Sequence, residues 1–418
     1  MIRRGRVCLA LVALISLSHM VRAGGAGAGK VSGSVTTGFD SFTEKYTIVE
    51  EDTLDRLTEF RTRLRLGYAH GTFLHDYLQL QGESVIGEES LESTARLNLL
   101  RRWGPSRFAV DTDLTFRTYR DSSEYSFPND FLRFSLRAYA RREIASGLSL
   151  RLTERLELLD FDERTEFDYD YVRNGVTVSG DLDRDLTTTY HASLSFTKKS
   201  IPDSTEIAYR AWSAAGDYRT TLDAHRHVYL NMTTERRLYA HEPTKSDFWA
   251  LLSAVTLQPF ARGDFGFGVE NALESYLYDR ESDAFFDYVE NRSAFIVSYY
   301  RSFDLTFGLG PTAAFFSSDF SPEDEYTEFG AKATASYNAG TRIWLSASYE
   351  PGHRNYRVDG SEVIFSDFTY QRITLFATLK IWRGANLGVF LNHEPENHKI
   401  EGDDATATLF SLDLSYGF

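Results

Sequence analysis

An apolar side chain at every second position, kept up for a whole segment and repeated along the chain, restricts this sequence more than any other feature. In FRTRLRLGY, Phe60, Thr62, Leu64, Leu66 and Tyr68 share one parity, and Arg61, Arg63 and Arg65 the other. In RFAVDTDLTFRTY, Phe108, Val110, Leu114 and Phe116 oppose Arg107, Asp111, Asp113 and Arg117. FLRFSLRAYAR, LSLRL, YHASLSF, DFGFGVENAL, FGAKATASY and RITLFATLKI repeat the pattern. A β-strand sends successive side chains to opposite faces, so each segment is a strand with one greasy and one charged face.

Such alternation also suits a soluble sandwich. Two features favour a membrane barrel instead. The segments run about 10 to 13 residues, longer than soluble strands and right for a tilted bilayer crossing. Their connections also alternate in length. RGAN (383–386), NAGT (338–341) and SFD (302–304) are tight, whereas HEPENHKIEGDD, PGHRNYRVDGSEVIFSD, SSDFSPEDEY and YDRESDAFFDY are long and polar. The expected fold is all-β, a transmembrane antiparallel up-and-down β-barrel. About 19 candidate strands can be marked, and closure demands an even number, which gives 18 with 16 and 20 on either side. Parity fails between Thr205 and Asp264, where AHEPTKSD and ARGD both read as inner turns with one strand between them. FWALLSAVTLQPF is apolar on both faces. One long hairpin is expected to run up through DERTEFDYDY and return after the Asn174-Gly175 turn signal.

The N-terminus reads as an export signal. Arg3, Arg4 and Arg6 precede an apolar run from Val7 to Leu17, and Val21 and Ala23 form a V-x-A cleavage site. Residues 1–23 are therefore expected to be removed, leaving 24–418 as the barrel. The only cysteine, Cys8, lies in that leader, so the mature fold does without disulfides. Without the leader's four arginines, 41 basic residues stand against 60 acidic ones, a net charge of −19. That balance excludes nucleic acid as a partner.

The chain stops on LFSLDLSYGF, with Phe410, Leu412, Leu414, Tyr416 and Phe418 on one parity. This resembles the C-terminal signature of bacterial outer-membrane β-barrel proteins, the porin-like superfamily. The resemblance implies that the barrel-insertion machinery reads the last strand, and that this strand closes the barrel against the first. It also implies an outer-membrane location in contact with lipid and lipopolysaccharide, with the C-terminus and short turns periplasmic and the long loops outside. The PEFGG-type constriction-loop motif of trimeric porins is absent, so their pore architecture is not carried over.

Chemistry is expected on the charged parity, because lipid-facing positions cannot hold charge cheaply. Arg61, Arg63, Arg65, Arg96, Arg107, Arg117, Arg133, Arg137, Arg141, Arg151 and Arg155 should point into the lumen, with Asp111, Asp113, Tyr77, Tyr119 and Tyr139. Guanidinium groups on a wet wall attract carboxylates and phosphates. The same arginines could instead pair with Glu83, Asp111, Asp113 and Glu157 into a ladder that braces the wall. The leading expectation is an outer-membrane channel for passive diffusion of small hydrophilic solutes, anions favoured, with no enzymatic activity and no cofactor. A dedicated exporter of an anionic polysaccharide, resembling the alginate-export type of barrel, is one alternative. A loop-based enzyme or adhesin is another.

The remaining motifs weigh less. His225 and His227 sit two apart but lack a third metal ligand, and His191 with Ser193 and Ser195 lacks an acid. The acidic loops read as a solvated rim; Asp160-x-Asp162 and Asp168-x-Asp170 lack the glycine and glutamate of a calcium loop. Trp103, Tyr299, Tyr300 and Trp382 read as interfacial girdle.

Overall fold

The computed structural model describes residues 29–418, except 49–50, 72–75, 88–89, 120–128, 164–167, 203–206, 224–225, 241–244, 283, 303, 321, 359–365 and 401–403. The leader 1–23 thus lies outside the described residues. Twenty strands follow one another. They are β1 (Lys30–Ile48), β2 (Glu51–Gly71), β3 (Tyr77–Ile86), β4 (Ser90–Trp103) and β5 (Ser106–Tyr119). Next come β6 (Phe131–Ala145), β7 (Leu148–Phe161), β8 (Tyr171–Asp183), β9 (Thr188–Ser200) and β10 (Tyr209–Thr221). Then follow β11 (His227–Tyr239), β12 (Phe248–Arg262), β13 (Phe265–Tyr278), β14 (Tyr288–Ser302) and β15 (Leu305–Ser317). The last are β16 (Tyr326–Asn338), β17 (Ile343–Tyr356), β18 (Phe368–Trp382), β19 (Ala385–His398) and β20 (Ala405–Gly417).

Each strand pairs antiparallel with the next, and β20 pairs back onto β1 from Ser34↔Gly417 to Tyr46↔Ala405. The sheet is therefore a closed barrel. The strand count is 20 rather than 18, and the error lies where parity failed. AHEPTKSD joins β11 to β12 at the far rim, while the terminal-rim turn one strand earlier lies between Thr221 and His227. The Asn174-Gly175 pair is not a turn either. It lies within β8, opposite Leu156 and Arg155, and the hairpin reverses between Phe161 and Tyr171. With strands about 4.8 Å apart and tilted about 40°, twenty of them close a ring about 40 Å across.

The two rims differ. At the rim holding Lys30 and Phe418, several strand pairs are joined by two residues, as between Trp103 and Ser106 or between Trp382 and Ala385. Gly71, Gly104, Gly147, Gly263, Gly340 and Gly384 all lie there with φ between 58° and 89°, a region tight hairpins need and L side chains resist. At the far rim the connections are longer from β5 onward, β1–β2 and β3–β4 being joined by two and three residues, and six end alike. Asp130, Asp170, Asp247, Asp287, Asp367 and Asp404 each accept the backbone N–H that ends the preceding strand, at 2.6–2.8 Å. In five of them the next residue is aromatic: Phe131, Tyr171, Phe248, Tyr288 and Phe368. Glu325 does the same for the Ser318 amide at 3.2 Å.

The apolar parity faces outward. Leu64, Leu66, Leu152, Val178, Leu194, Leu309 and Phe329 are 41–68% exposed, as a lipid-facing wall requires. Leu412, Leu414, Tyr416 and Phe418 share that face on β20 and its end. Phe418 exchanges both backbone hydrogen bonds with Gly33, and a Cβ on Gly33 would lie 2.4 Å from its ring. Trp103 and Trp382, 78% and 79% exposed, are at the terminal rim. Tyr300 is not part of this girdle. It shares the other parity and accepts a hydrogen bond from Gln258.

Candidate functional site: the barrel interior

Side chains of non-adjacent strands diverge on a convex wall and converge on a concave one. Lys332 of β16 reaches Glu270 of β13 at 3.1 Å, and Tyr370 of β18 donates to Glu328 of β16 at 2.6 Å. The charged parity is therefore the concave, inward one.

On β2–β8 this face is an arc of arginines held by fewer carboxylates. Arg61 pairs with Asp40. Glu83 is shared by Arg63 (3.1 Å), Arg65 (3.0 Å) and Arg96 (3.8 Å), and Arg96 also meets Asp113 at 3.0 Å. Arg117 pairs with Glu92 at 2.5 Å, and Arg137 with Asp111 at 2.6 Å. Asp181 draws in Arg141 (3.5 Å), Arg151 (3.8 Å) and His191 (2.7 Å). Each of these pairs joins strands and braces the wall. Arg107, Arg133 and Arg155 have no ion pair among the described residues. Tyr77, Tyr119 and Tyr139 lie on the same face, Tyr139 beneath the Arg151 guanidinium at 5.3 Å.

The arc contains a recess of about 640 Å³. Arg137, Arg155 and Arg173 line one side of it beside Asp111, Asp113 and Glu157, and Arg237, Glu235 and Tyr209 the other. Its floor is small and hydroxylated, with Gly175, Ala211, Thr177, Ser195 and Ser213. Arg155 stands opposite Gly175, so no side chain crowds its guanidinium from β8. Arg173 and Arg237 were not anticipated from the sequence. Arg173 sits beside the misread Asn174-Gly175 pair, and Arg237 falls where strand parity was lost. A correct turn before His227 puts Tyr229, Asn231, Thr233, Glu235 and Arg237 on one face.

Across the barrel, the far-rim half of the wall is a network of tyrosines and glutamates. Tyr288 donates to Glu274 at 2.6 Å, Tyr326 to Glu290 at 2.7 Å and Tyr370 to Glu328 at 2.6 Å. Arg354 bonds the buried Glu328 at 2.8 Å, with its guanidinium 4.0 Å from the Tyr326 ring. Ring contacts run on through Phe248, Tyr276, Tyr288, Phe316 and Tyr326 at 5.2–5.8 Å, about one ring per strand. Outside the strands, a hydrogen bond from Arg357 holds the Glu325 carboxyl below the usual carboxylate range.

The weaker motifs resolve as follows. His191 does have an acid, Asp181, but Asp181 also serves Ser149, Arg141 and Arg151. No hydrogen bond joins His191 to Ser193, and Ser195 bonds Thr177 at 3.0 Å. β11 begins at His227, and His225 lies outside the described residues. Among the described residues no three His, Cys, Asp or Glu side chains are placed to hold a metal ion.

No family model matches this sequence, and no curated protein sequence does either. Solved structures do match in fold. The copper transporter OprC superposes with a TM-score of 0.59 at 10% identity, covering 94% of this chain and 81% of that one. A BenF-like porin from Pseudomonas fluorescens Pf-5 gives 0.52 at 10% identity, covering 93% and 99%. OccK1 (OpdK) of Pseudomonas aeruginosa gives 0.50 at 12% identity, covering 93% and 98%. The fold is that of the porin-like outer-membrane β-barrels.

Proposed function

We propose that this chain is an outer-membrane channel through which small hydrophilic solutes diffuse passively, with anions favoured. The long far-rim connections face outward from the cell, and Phe418 and the two-residue turns face the periplasm. The observation that carries the anion preference is the local surplus of guanidinium on the β2–β8 arc of the inner wall, which faces a glutamate-rich half across the lumen. One carboxylate, Glu83, serves three arginines, and Arg107, Arg133 and Arg155 have none among the described residues. A solute would meet Arg61, Arg63, Arg65, Arg96, Arg107, Arg117, Arg133, Arg137, Arg141, Arg151 and Arg155, with Asp111 and Asp113 tethering their neighbours. Fixed charge on the wall raises the local concentration of the opposite ion and sets selectivity without any cofactor. Phe410, Leu412, Leu414, Tyr416 and Phe418 serve assembly by presenting the terminal strand to the insertion machinery. The bonding of His191 supports a transport role over a catalytic one: Asp181 holds the ring at 2.7 Å, but among the described residues no hydrogen bond joins it to Ser193 or Ser195.

The test is single-channel recording of the refolded mature protein in a planar bilayer under a KCl gradient. Stable conductance with a reversal potential on the chloride side supports the reading. A folded barrel that conducts nothing, or prefers potassium, refutes it.

A further inference from the structure

The inner wall is not polar throughout. On β17, β18, β19, β20 and β1 the inward parity carries Trp344, Phe376, Phe390, Leu409 and Phe42. These residues are contiguous. The Trp344 and Phe376 rings lie 4.8 Å apart, and Phe376 stands opposite Phe390. Phe390 stands opposite Ser411, two residues from Leu409, and Leu409 stands opposite Phe42. Trp344 is 51% exposed, Leu409 39% and Phe42 36%, so their apolar surfaces front open space inside the barrel.

The stripe also climbs. Trp344 is the second residue of β17, next to the terminal rim, whereas Leu409 lies eight residues above Gly417. At about 3.3 Å per residue and a tilt of about 40°, the climb is roughly 18 Å. At its top, Phe42 sits two residues from Asp40, the partner of Arg61. The apolar stripe thus rises from the terminal rim and ends where the arginine arc begins.

We infer that this stripe receives the apolar body of the permeating solute, and that the solute class is an amphipathic organic anion, a carboxylate on a hydrocarbon chain or ring. The inference rests on the anion-channel reading above and narrows it. Arginines alone would serve chloride, phosphate or acetate equally well. An apolar track beside them favours an anion with hydrocarbon to remove from water. Weak contacts spread along the wall let such a solute enter and leave, as conduction requires.

The experiment compares block of the KCl current by hexanoate and by acetate, which share a head group and charge. Hexanoate is expected to block at a concentration about tenfold lower, the effect of partly burying two or so methylenes. In Phe376→Ser/Phe390→Ser that advantage should vanish, with KCl conductance and acetate block unchanged. Trp344→Ser/Leu409→Ser repeats the test at the two ends of the stripe. Equal block by both acids in the wild type overturns the inference, as does an advantage that survives both double variants. Greater hexanoate sensitivity on substitution would mean that the chain itself covers the stripe, and also overturns it. Anion preference in KCl with equal block by the two acids removes this inference alone. Loss of conductance or of anion preference removes the parent reading with it.

Discussion

Replacing Arg133 and Arg155 together by serine takes two guanidiniums from the inner wall and leaves no carboxylate stranded, because neither has an ion pair among the described residues. In a wet lumen with a dielectric near 80, a unit charge about 6 Å from a permeating anion contributes about 0.7 kcal/mol. Screening at about 0.1 M salt reduces that to about 0.4 kcal/mol. Two such charges give about 0.8 kcal/mol, a roughly fourfold enrichment of an anion beside them and a like depletion of a cation. The chloride-to-potassium permeability ratio, which feels both effects, should therefore fall by up to about fifteenfold, read as a shift of reversal potential under a KCl gradient. The control is Asp111→Ser/Arg137→Ser. It deletes a whole ion pair of 2.6 Å from the same arc and leaves the net charge unchanged. Its reversal potential should stay at the wild-type value. If the Arg133/Arg155 variant keeps wild-type selectivity, or the pair deletion shifts it as far, unpaired wall charge is not what sets selectivity.

Further outcomes are expected elsewhere. Glu328→Ala strands Arg354, leaves Arg372 with Glu394 alone and removes the acceptor of the Tyr370 hydroxyl, so it should cost about 3 kcal/mol, visible as a lower urea midpoint in detergent. Gly33→Val places side-chain atoms against the Phe418 ring, so folded barrel recovered from membranes should fall in a heat-modifiable gel shift, with Phe418→Ala restoring part of it. Arg357 depresses the folded value of Glu325, so this clamp's contribution is complete above the unfolded value near 4.5 and is lost as pH falls through the lower folded value. The protection factor of the Ser318 amide, its exchange rate relative to the intrinsic rate at each pH, should fall over that acid range and stay constant between pH 6 and 8, about where histidines titrate; a loss of protection at neutral pH would count against the clamp.

Much of the barrel was legible because a lipid-facing wall imposes one rule on every strand. FRTRLRLGY and LFSLDLSYGF obey it residue by residue, and their parities hold in the structure. The count failed where local cues compete with that rule. Asn174-Gly175 has the composition of a tight turn, yet cross-strand pairing on both sides holds it in mid-strand. The turn between Thr221 and His227 lacks the glycine that marks Gly104 or Gly384, so nothing local announced it. The apolar stripe was hidden for a different reason. Phe376 lies in RITLFATLKI, whose other parity is Ile373, Leu375, Ala377 and Leu379, and one more apolar residue among them carries no signal. Which carboxylate meets which arginine depends on register across several strands, which no single segment encodes.

The repeated aspartate at the far rim has a consequence for how such a wall could grow. Each clamp is made within its own hairpin: Asp287 holds Tyr278, Asp367 holds Tyr356, and neither bond draws on a neighbouring unit. A hairpin thus carries its own rim clamp, and duplicating one would widen the ring by two strands, about 12 Å of circumference. Lumen area can then change in steps while the β1–β20 seam and every existing connection stay as they were.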